Sequence, residues 1–158
     1  MRKEMKSIPE IIGELGMTLL NKNGKVKCKR YTRNIIPTTG RQHIAMLLDT
    51  GDIDATMIRF AVGTESTAPT AGDTELGNEV ARSAFTDSYD PSILAGSTKL
   101  EYRAKFTDVI TEDCSIWEGG IFNHTETGRM LCFGTLTQAV NFQTGDTLNC
   151  TYTITIGT

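Results

Sequence analysis

The sequence lacks long apolar stretches. Hydrophobic residues make up 39% of its 158 residues, and no run of them approaches the roughly 20 residues that a membrane-spanning helix needs. The N-terminus, Met1 to Glu4, also lacks the apolar segment of a secretory signal. We therefore expect a protein of one domain that is made in a cytoplasm and has no membrane as a partner.

Recognisable catalytic motifs are also missing. The chain has only two histidines, His43 and His124, and contains no GxSxG, P-loop or GxGxxG motif. The carboxylates of Glu112, Asp113 and Glu118 could supply an acid and a base, but such clusters are more typical of turns. The sequence therefore predicts a protein that is not an enzyme.

Cysteine is sparse and poorly spaced for metal binding. The cysteines are Cys28, Cys114, Cys132 and Cys150, with no CxxC pair and no histidine beside them. Each occupies an apolar position in a predicted strand, where a reduced thiol packs as a small hydrophobic group. We expect no bound metal and no cofactor.

Threonine and glycine, in contrast, are abundant. The chain has 24 Thr and 15 Gly but only 4 Pro, a bias toward β-branched strand formers separated by turns. The clearest alternation lies at the C-terminus, where apolar Leu148, Cys150, Tyr152, Ile154 and Ile156 alternate with Thr and Asn. This pattern predicts a strand of about ten residues with one buried face.

Similar but shorter patterns predict further strands. They cover 56–64, 80–85, 99–107, 115–123 with a bulge at Gly119-Gly120, and 129–136. The run from Thr38 to Leu48 has helical spacing instead, and its predicted apolar face is Ile44, Leu47 and Leu48, with His43 at the surface beside it. We expect an all-β fold, a jelly-roll-like β-sandwich with one short early helix.

The N-terminal part is predicted to have two pieces. Gly13 and Gly16 interrupt any long helix, so residues 1–16 are interpreted as an arm. Residues 17–33 predict a hairpin, since Asn23-Gly24 is typical of a two-residue turn. That turn would pair Leu19 with Cys28 and place Val26 on the buried face. The sandwich domain is thus expected to span residues 17–158.

Charge is distributed unevenly along the chain. Residues 1–33 carry nine Lys or Arg and three Glu, a net charge of +6. The remaining residues carry seven Lys or Arg and sixteen Asp or Glu, a net charge of −9. The asymmetry indicates contact with an acidic partner, and a solvated strand face is the alternative interpretation. Nucleic acid is a poor candidate because the chain as a whole is acidic. The predicted interaction residues are Lys25, Lys27, Lys29, Arg30 and Arg33.

Several short segments resemble structural proteins of tailed bacteriophages, including collar-fibre and other virion proteins. The first segment runs from Phe60 to Arg82, with Phe60-Ala61-Val62-Gly63-Thr64 at its start. Trp117 to Phe122, Gly128 to Leu131 and the strand that begins at Asp146 follow in the same order. The resemblance implies a part of a virion, with no catalytic residues. The basic hairpin and the glycine after Glu118 have no match in that family.

From these observations we expect a non-enzymatic bacteriophage virion protein that assembles with copies of itself, as a trimer or a higher ring, and with other virion proteins. A decoration or attachment role on the capsid or neck is favoured over a place in the tail, collar or baseplate. A carbohydrate-binding module, with Trp117 or Tyr89 as the stacking residue, is the alternative from another class.

Overall fold

The computed structural model describes residues 11–50, 56–86 and 99–156. They form two antiparallel four-stranded sheets and one short helix, which confirms the predicted mostly-β class with an early helix. The elements are β1 (Ile11–Leu20), β2 (Val26–Asn34), α1 (Thr38–Thr50), β3 (Arg59–Gly63), β4 (Glu79–Ala84), β5 (Lys99–Phe106), β6 (Cys114–Phe122), β7 (Met130–Phe142) and β8 (Thr147–Ile156).

The first sheet has the strand order β2-β1-β8-β5. Its strands show the alternation expected from the sequence: in β8, Leu148, Cys150, Tyr152 and Ile154 are buried, while the residues between them are partly exposed. Ile156, predicted to be buried, is exposed at the end of the strand. The alternation arises because only the inner face of this sheet is covered by the rest of the protein.

Strand β1 starts earlier than predicted. It begins at Ile11, so the assignment of residues 1–16 to an arm is wrong for residues 11–16, and residues 1–10 lie outside the described ranges. β1 pairs with β2 on one side and with β8 on the other, and Leu15 is fully buried. Gly13 suits this strand because a Cβ there would collide with the side chain of Asn34. The folded domain therefore includes residues well before Met17.

The predicted hairpin between β1 and β2 is present, but its turn is different. The Gly24 amide donates to the Asn21 carbonyl, and the Asn21 amide donates to the Lys25 carbonyl, both at 2.8 Å. Gly24 has a φ of 77°. The loop is therefore a three-residue turn closed by a left-handed glycine, and the prediction of a two-residue turn at Asn23-Gly24 is wrong.

Beyond this turn, the pairing of β1 with β2 returns to the predicted register. Leu20 pairs with Val26, and a bulge between Leu19 and Leu20 leaves Lys27 as the extra residue. Leu19 then pairs with Cys28, as predicted. Val26 lies outside the core with 46% of its surface exposed, which corrects its predicted place on the buried face.

The second sheet has the order β4-β3-β6-β7, and apolar residues are buried on both of its faces. In β3 the consecutive residues Phe60, Ala61 and Val62 are all fully buried. Phe60 faces the first sheet, with its ring 6.2 Å from Phe106 and 6.3 Å from Tyr152 between centroids. Ala61 belongs to a separate outer cluster, beneath the loop of residues 64–78. The two sheets therefore share one core between them, and the loop of residues 64–78 covers the outer face of the second sheet.

The glycine pair of β6 does not form the predicted bulge. The register between β6 and β7 shifts between Ile116 and Glu118, at the half-buried Trp117, and again between Ile121 and Phe122. Gly119 instead permits close contact between the sheets, since a Cβ there would lie 2.9 Å from the Cε of Met17. The glycine therefore lies at a contact between the sheets rather than at an irregularity of the strand.

Helix α1 is present where it was predicted, and Ile44 packs against the core as expected, but the rest of its packing face is different. Leu48 is 85% exposed and Leu47 is also exposed, whereas Gly40 and His43 are buried. A Cβ on Gly40 would meet the Leu131 carbonyl, so the helix lies directly on β7. The surface position predicted for His43 is therefore wrong. Within the described ranges no helix has the length and apolarity to cross a membrane.

Candidate interaction surface

The predicted interaction residues lie on β2 and its turn, which form one edge of the first sheet. All of the net charge of +6 in residues 1–33 comes from residues 17–33, which contain six Lys or Arg and no acidic residue. Lys25, Lys29 and Arg33 are exposed. The structure thus keeps these three cations available to a partner.

Lys27 has a different role. Its Nζ lies 2.6 Å from Oδ2 of Asp146 and 2.8 Å from Oε1 of Gln143, in the turn between β7 and β8. The Asp146 carboxylate is buried and also accepts the Gln143 amide at 3.1 Å. Lys27 therefore links the start of β2 to the turn between β7 and β8 of its own chain.

Arg30 also departs from the predicted stripe. It is half-buried and alternates with the exposed Lys29 and Tyr31, so it belongs to the inner side of β2 together with Cys28. Its guanidinium donates to the Lys29 carbonyl at 2.9 Å. Of the five predicted residues, Lys25, Lys29 and Arg33 remain as candidates for contact with a partner.

The pairing of the strands adds cations that the sequence pattern did not associate with this surface. Across the four strands, Lys29 aligns with Thr18, Asn149 and Lys105. The outward residues of β5 (Lys99, Arg103 and Lys105) thus share a face with those of β2, and Glu101 pairs with Arg103. Only the register of β1 and β8 could have revealed this juxtaposition.

A groove of about 470 Å³ crosses the same face, over β1 and β8. Tyr31 stands at one side with 69% of its surface exposed. The floor is Gly16, whose missing side chain leaves room for the Tyr31 ring and for the Thr151 hydroxyl. The residues lining the groove are Glu14, Gly16, Tyr31, Thr32, Arg33, Glu101, Thr151 and Thr153.

The carboxylate of Glu118 organises the opposite side of the molecule. Glu118 is only 1% exposed, and its oxygens accept the amides of Gly77 at 3.0 Å, Asn78 at 2.9 Å and Glu65 at 3.4 Å. A Cβ on Gly63 would collide with the same carboxylate. Glu118 therefore holds the loop of residues 64–78 on the second sheet, a structural use of a residue considered as an acid or base.

A second polar anchor is Arg82 in β4. Its guanidinium pairs with both oxygens of Glu79, donates to the carbonyls of His124 at 3.0 Å and Thr127 at 2.9 Å, and lies 4.0 Å from the centre of the Phe122 ring. These contacts attach the turn between β6 and β7 to β4. Glu79 and Arg82 are thus engaged with each other and with their own chain.

The cysteines pack as expected from the sequence. Cys132 and Cys150 are buried, and burial raises the pKa of both thiols far above the ordinary value of 9.0. Desolvation also raises the pKa of the Cys114 thiol. A raised pKa disfavours the nucleophilic thiolate. Among the described residues, no group of three or more His, Cys, Asp or Glu side chains could hold a metal ion.

The sequence suggested two residues for stacking on a sugar. Trp117 is half-buried beside a register shift between β6 and β7, and Tyr89 lies outside the described residues. In the part of the chain that the structure describes, Tyr31 places an exposed ring beside hydroxyl and charged groups, between the cations of β2.

Comparison with known proteins gives no relative for this chain. No family model, curated protein or solved structure matches it.

Proposed function

We propose that this chain is a non-enzymatic structural protein of a tailed-bacteriophage virion and assembles with copies of itself and with other virion proteins. The observation that carries the proposal is the convergence of the segments that resemble such proteins. Glu118 lies in the second of these segments, Trp117 to Phe122. Its carboxylate accepts the amides of Gly77 and Asn78 in the first segment, Phe60 to Arg82. Arg82, from the first, binds the carbonyl of Thr127, next to the third. Contacts of this kind support a shared structural unit.

The strand pairing supports a jelly-roll-like β-sandwich. In a jelly roll the first strand lies beside the last, the second beside the seventh, and so on inward. Here β1 pairs with β8 and β3 with β6. At the two corners, Ile35 pairs with Phe133 and Phe85 with Ala104, which brings β2 to β7 and β4 to β5. The pairs β1–β2, β5–β8, β3–β4 and β6–β7 differ from a regular jelly roll.

The docking surface in this proposal is the β2 edge, through Lys25, Lys29 and Arg33. Exposed cations on an edge strand discourage indiscriminate strand pairing, and they attract an acidic surface in a defined orientation. The body of the same chain, with its net charge of −9 from residue 34 onward, offers such a surface on a neighbouring copy. The location is the virion, on the capsid or neck, after synthesis in the host cytoplasm.

Oligomer formation and its dependence on salt test this function. We expect light scattering to detect species larger than the 17.3 kDa monomer. Changing Lys25, Lys29 and Arg33 together to Gln should weaken assembly and its salt dependence, because exposed ion pairs are each worth about 0–1 kcal/mol and are screened by salt.

The matched control is Lys27→Gln. It removes one positive charge from the same strand, and it should lower stability by about 1–2 kcal/mol because Asp146 loses its cationic partner. It should leave the salt dependence of assembly unchanged. A monomer at every concentration, together with absence from purified virions by immuno-electron microscopy, would contradict the proposed function. Labelling on the tail, collar or baseplate would favour that alternative placement.

A further inference from the structure

The exposed ring of Tyr31 is held in place from one side. Tyr31 is the cross-strand partner of Gly16. Its Cε1 and Cδ1 atoms lie 3.0 and 3.1 Å from the position that a Cβ on Gly16 would occupy. The ring therefore rests on the bare backbone of β1, while 69% of the residue remains open to solvent. An aromatic ring supported in this way needs little ordering before a ligand stacks on it.

Polar groups of several kinds surround this ring. Thr151 pairs with Gly16, and its hydroxyl oxygen lies 2.7 Å from the same Cβ position. Glu14 is next to Gly16 in the groove and aligns with Arg33 on one side and with Thr153 on the other. The groove thus offers carboxylate acceptors, a guanidinium donor and hydroxyl groups beside an apolar ring.

We propose that this groove is a carbohydrate site that takes a neutral pyranose sugar, as one ring or two. The apolar C–H face of such a sugar stacks on an aromatic side chain, while its hydroxyl groups both donate and accept, which matches Glu14, Arg33 and Thr151. The groove volume of about 470 Å³ lies in the range of small-molecule sites.

The site shares Arg33 with the proposed docking edge, but its floor lies on other strands. Gly16 and Thr151 belong to β1 and β8, the two central strands of the sheet, so a partner bound along β2 leaves the floor of the groove open. Sugar binding therefore goes beyond the virion role, and either proposal can fail without the other.

A sugar titration of the full chain tests the proposal. The probes are glucose, galactose, N-acetylglucosamine, lactose and cellobiose, each raised to tens of millimolar and followed by ¹⁵N NMR, with a glycan array as a wider screen. We expect at least one neutral sugar to shift the amides of Gly16, Tyr31 and Thr151. Tyr31→Ala should weaken that binding about tenfold or more, as expected for a lost stacking contact.

Two further variants separate recognition from folding. Tyr31→Phe keeps the ring and should keep binding within about threefold, whereas Glu14→Gln should weaken it without loss of the fold, as judged by the NMR spectrum. Lys105→Ala, on the same face but outside the groove, should have no effect. A blank array with no shifts from any probe would overturn the proposal. So would binding of sulfated glycans alone with equal affinity in wild type and Tyr31→Ala.

Discussion

The two sheets differ in what lies outside them. The outer face of the first sheet is open, and Thr18, Thr151 and Thr153 alternate there with buried residues. The outer face of the second sheet is covered by the loop of residues 64–78, so neighbouring residues such as Ile121 and Phe122 are both buried. An open face leaves its polar side chains available to bind a partner. The polar side chains of a covered face are engaged in contacts with the segment that covers it.

The largest expected effect contrasts the two outer faces directly. Phe122→Ala should destabilise the protein by about 3–5 kcal/mol, because it empties a buried site beneath Arg82. Thr153→Ala, on the outer face of the first sheet, should change stability by no more than about 0.5 kcal/mol. Urea unfolding monitored by Trp117 fluorescence measures both. Equal losses of stability in the two variants would contradict this distinction between the outer faces of the two sheets.

The next largest effect concerns Glu118, which holds the loop of residues 64–78 on the second sheet. Glu118→Ala should cost about 3 kcal/mol because it leaves the Gly77 and Asn78 amides without their acceptor, and Glu118→Gln should cost about 1–2 kcal/mol. Hydrogen exchange should accelerate at these two amides while the amides of β8 stay protected. Glu112→Gln, an exposed change of the same type, is the control. Unchanged exchange at Gly77 and Asn78 in Glu118→Ala would contradict the anchoring role.

The smallest effect is the response of the covering loop to acid. Hydrogen bonds from the hydroxyl and amide of Thr67 and from the amide of Ser66 lower the pKa of Glu65 below its ordinary value of 4.5. A lowered pKa in the folded state stabilises the fold fully above the unfolded value and stops doing so as the pH falls through the folded value. Stability should therefore decrease as the pH drops below 4.5.

Thr67→Val should raise the Glu65 pKa toward 4.5, because the hydroxyl bond is the largest cause of the shift. An NMR titration of the carboxyl carbon measures this change. Thr74→Val, elsewhere in the same loop, serves as the control. If the Glu65 pKa does not move in Thr67→Val, the hydroxyl is not responsible for the shift.

The strands of the two sheets also differ in how closely their sequence patterns predict them. β8 and β5 were predicted almost to the residue, since a strand with one open face must alternate. β3 and β7 were predicted less well: β3 begins at Arg59, three residues after the predicted start of the 56–64 strand, and β7 extends six residues beyond the predicted end at Leu136. A strand that is buried on both faces lacks the alternation of polar and apolar residues from which a strand is predicted. The arm was misassigned because Gly13 and Gly16 looked like breaks, when they are sites of close contact.

The candidate site depended even more on tertiary contacts. The sequence identified the cations of β2 and their exposure in Lys25, Lys29 and Arg33, because local charge and alternation are properties of one segment. The partners of Lys27 lie more than a hundred residues away in the β7–β8 turn, so no local pattern could indicate that ion pair.

The sequence by itself determined the β class, the hairpin, the position of the early helix and the concentration of positive charge before residue 34. These follow from residue preference, periodicity and composition, each a property of neighbouring residues. Only the tertiary structure decided which sheet is covered, that Glu118 and Arg82 are internal anchors, and that Tyr31 rests on Gly16 beside Thr151. The reason is physical: burial and pairing between distant strands depend on the register of the sheets, which local sequence does not encode.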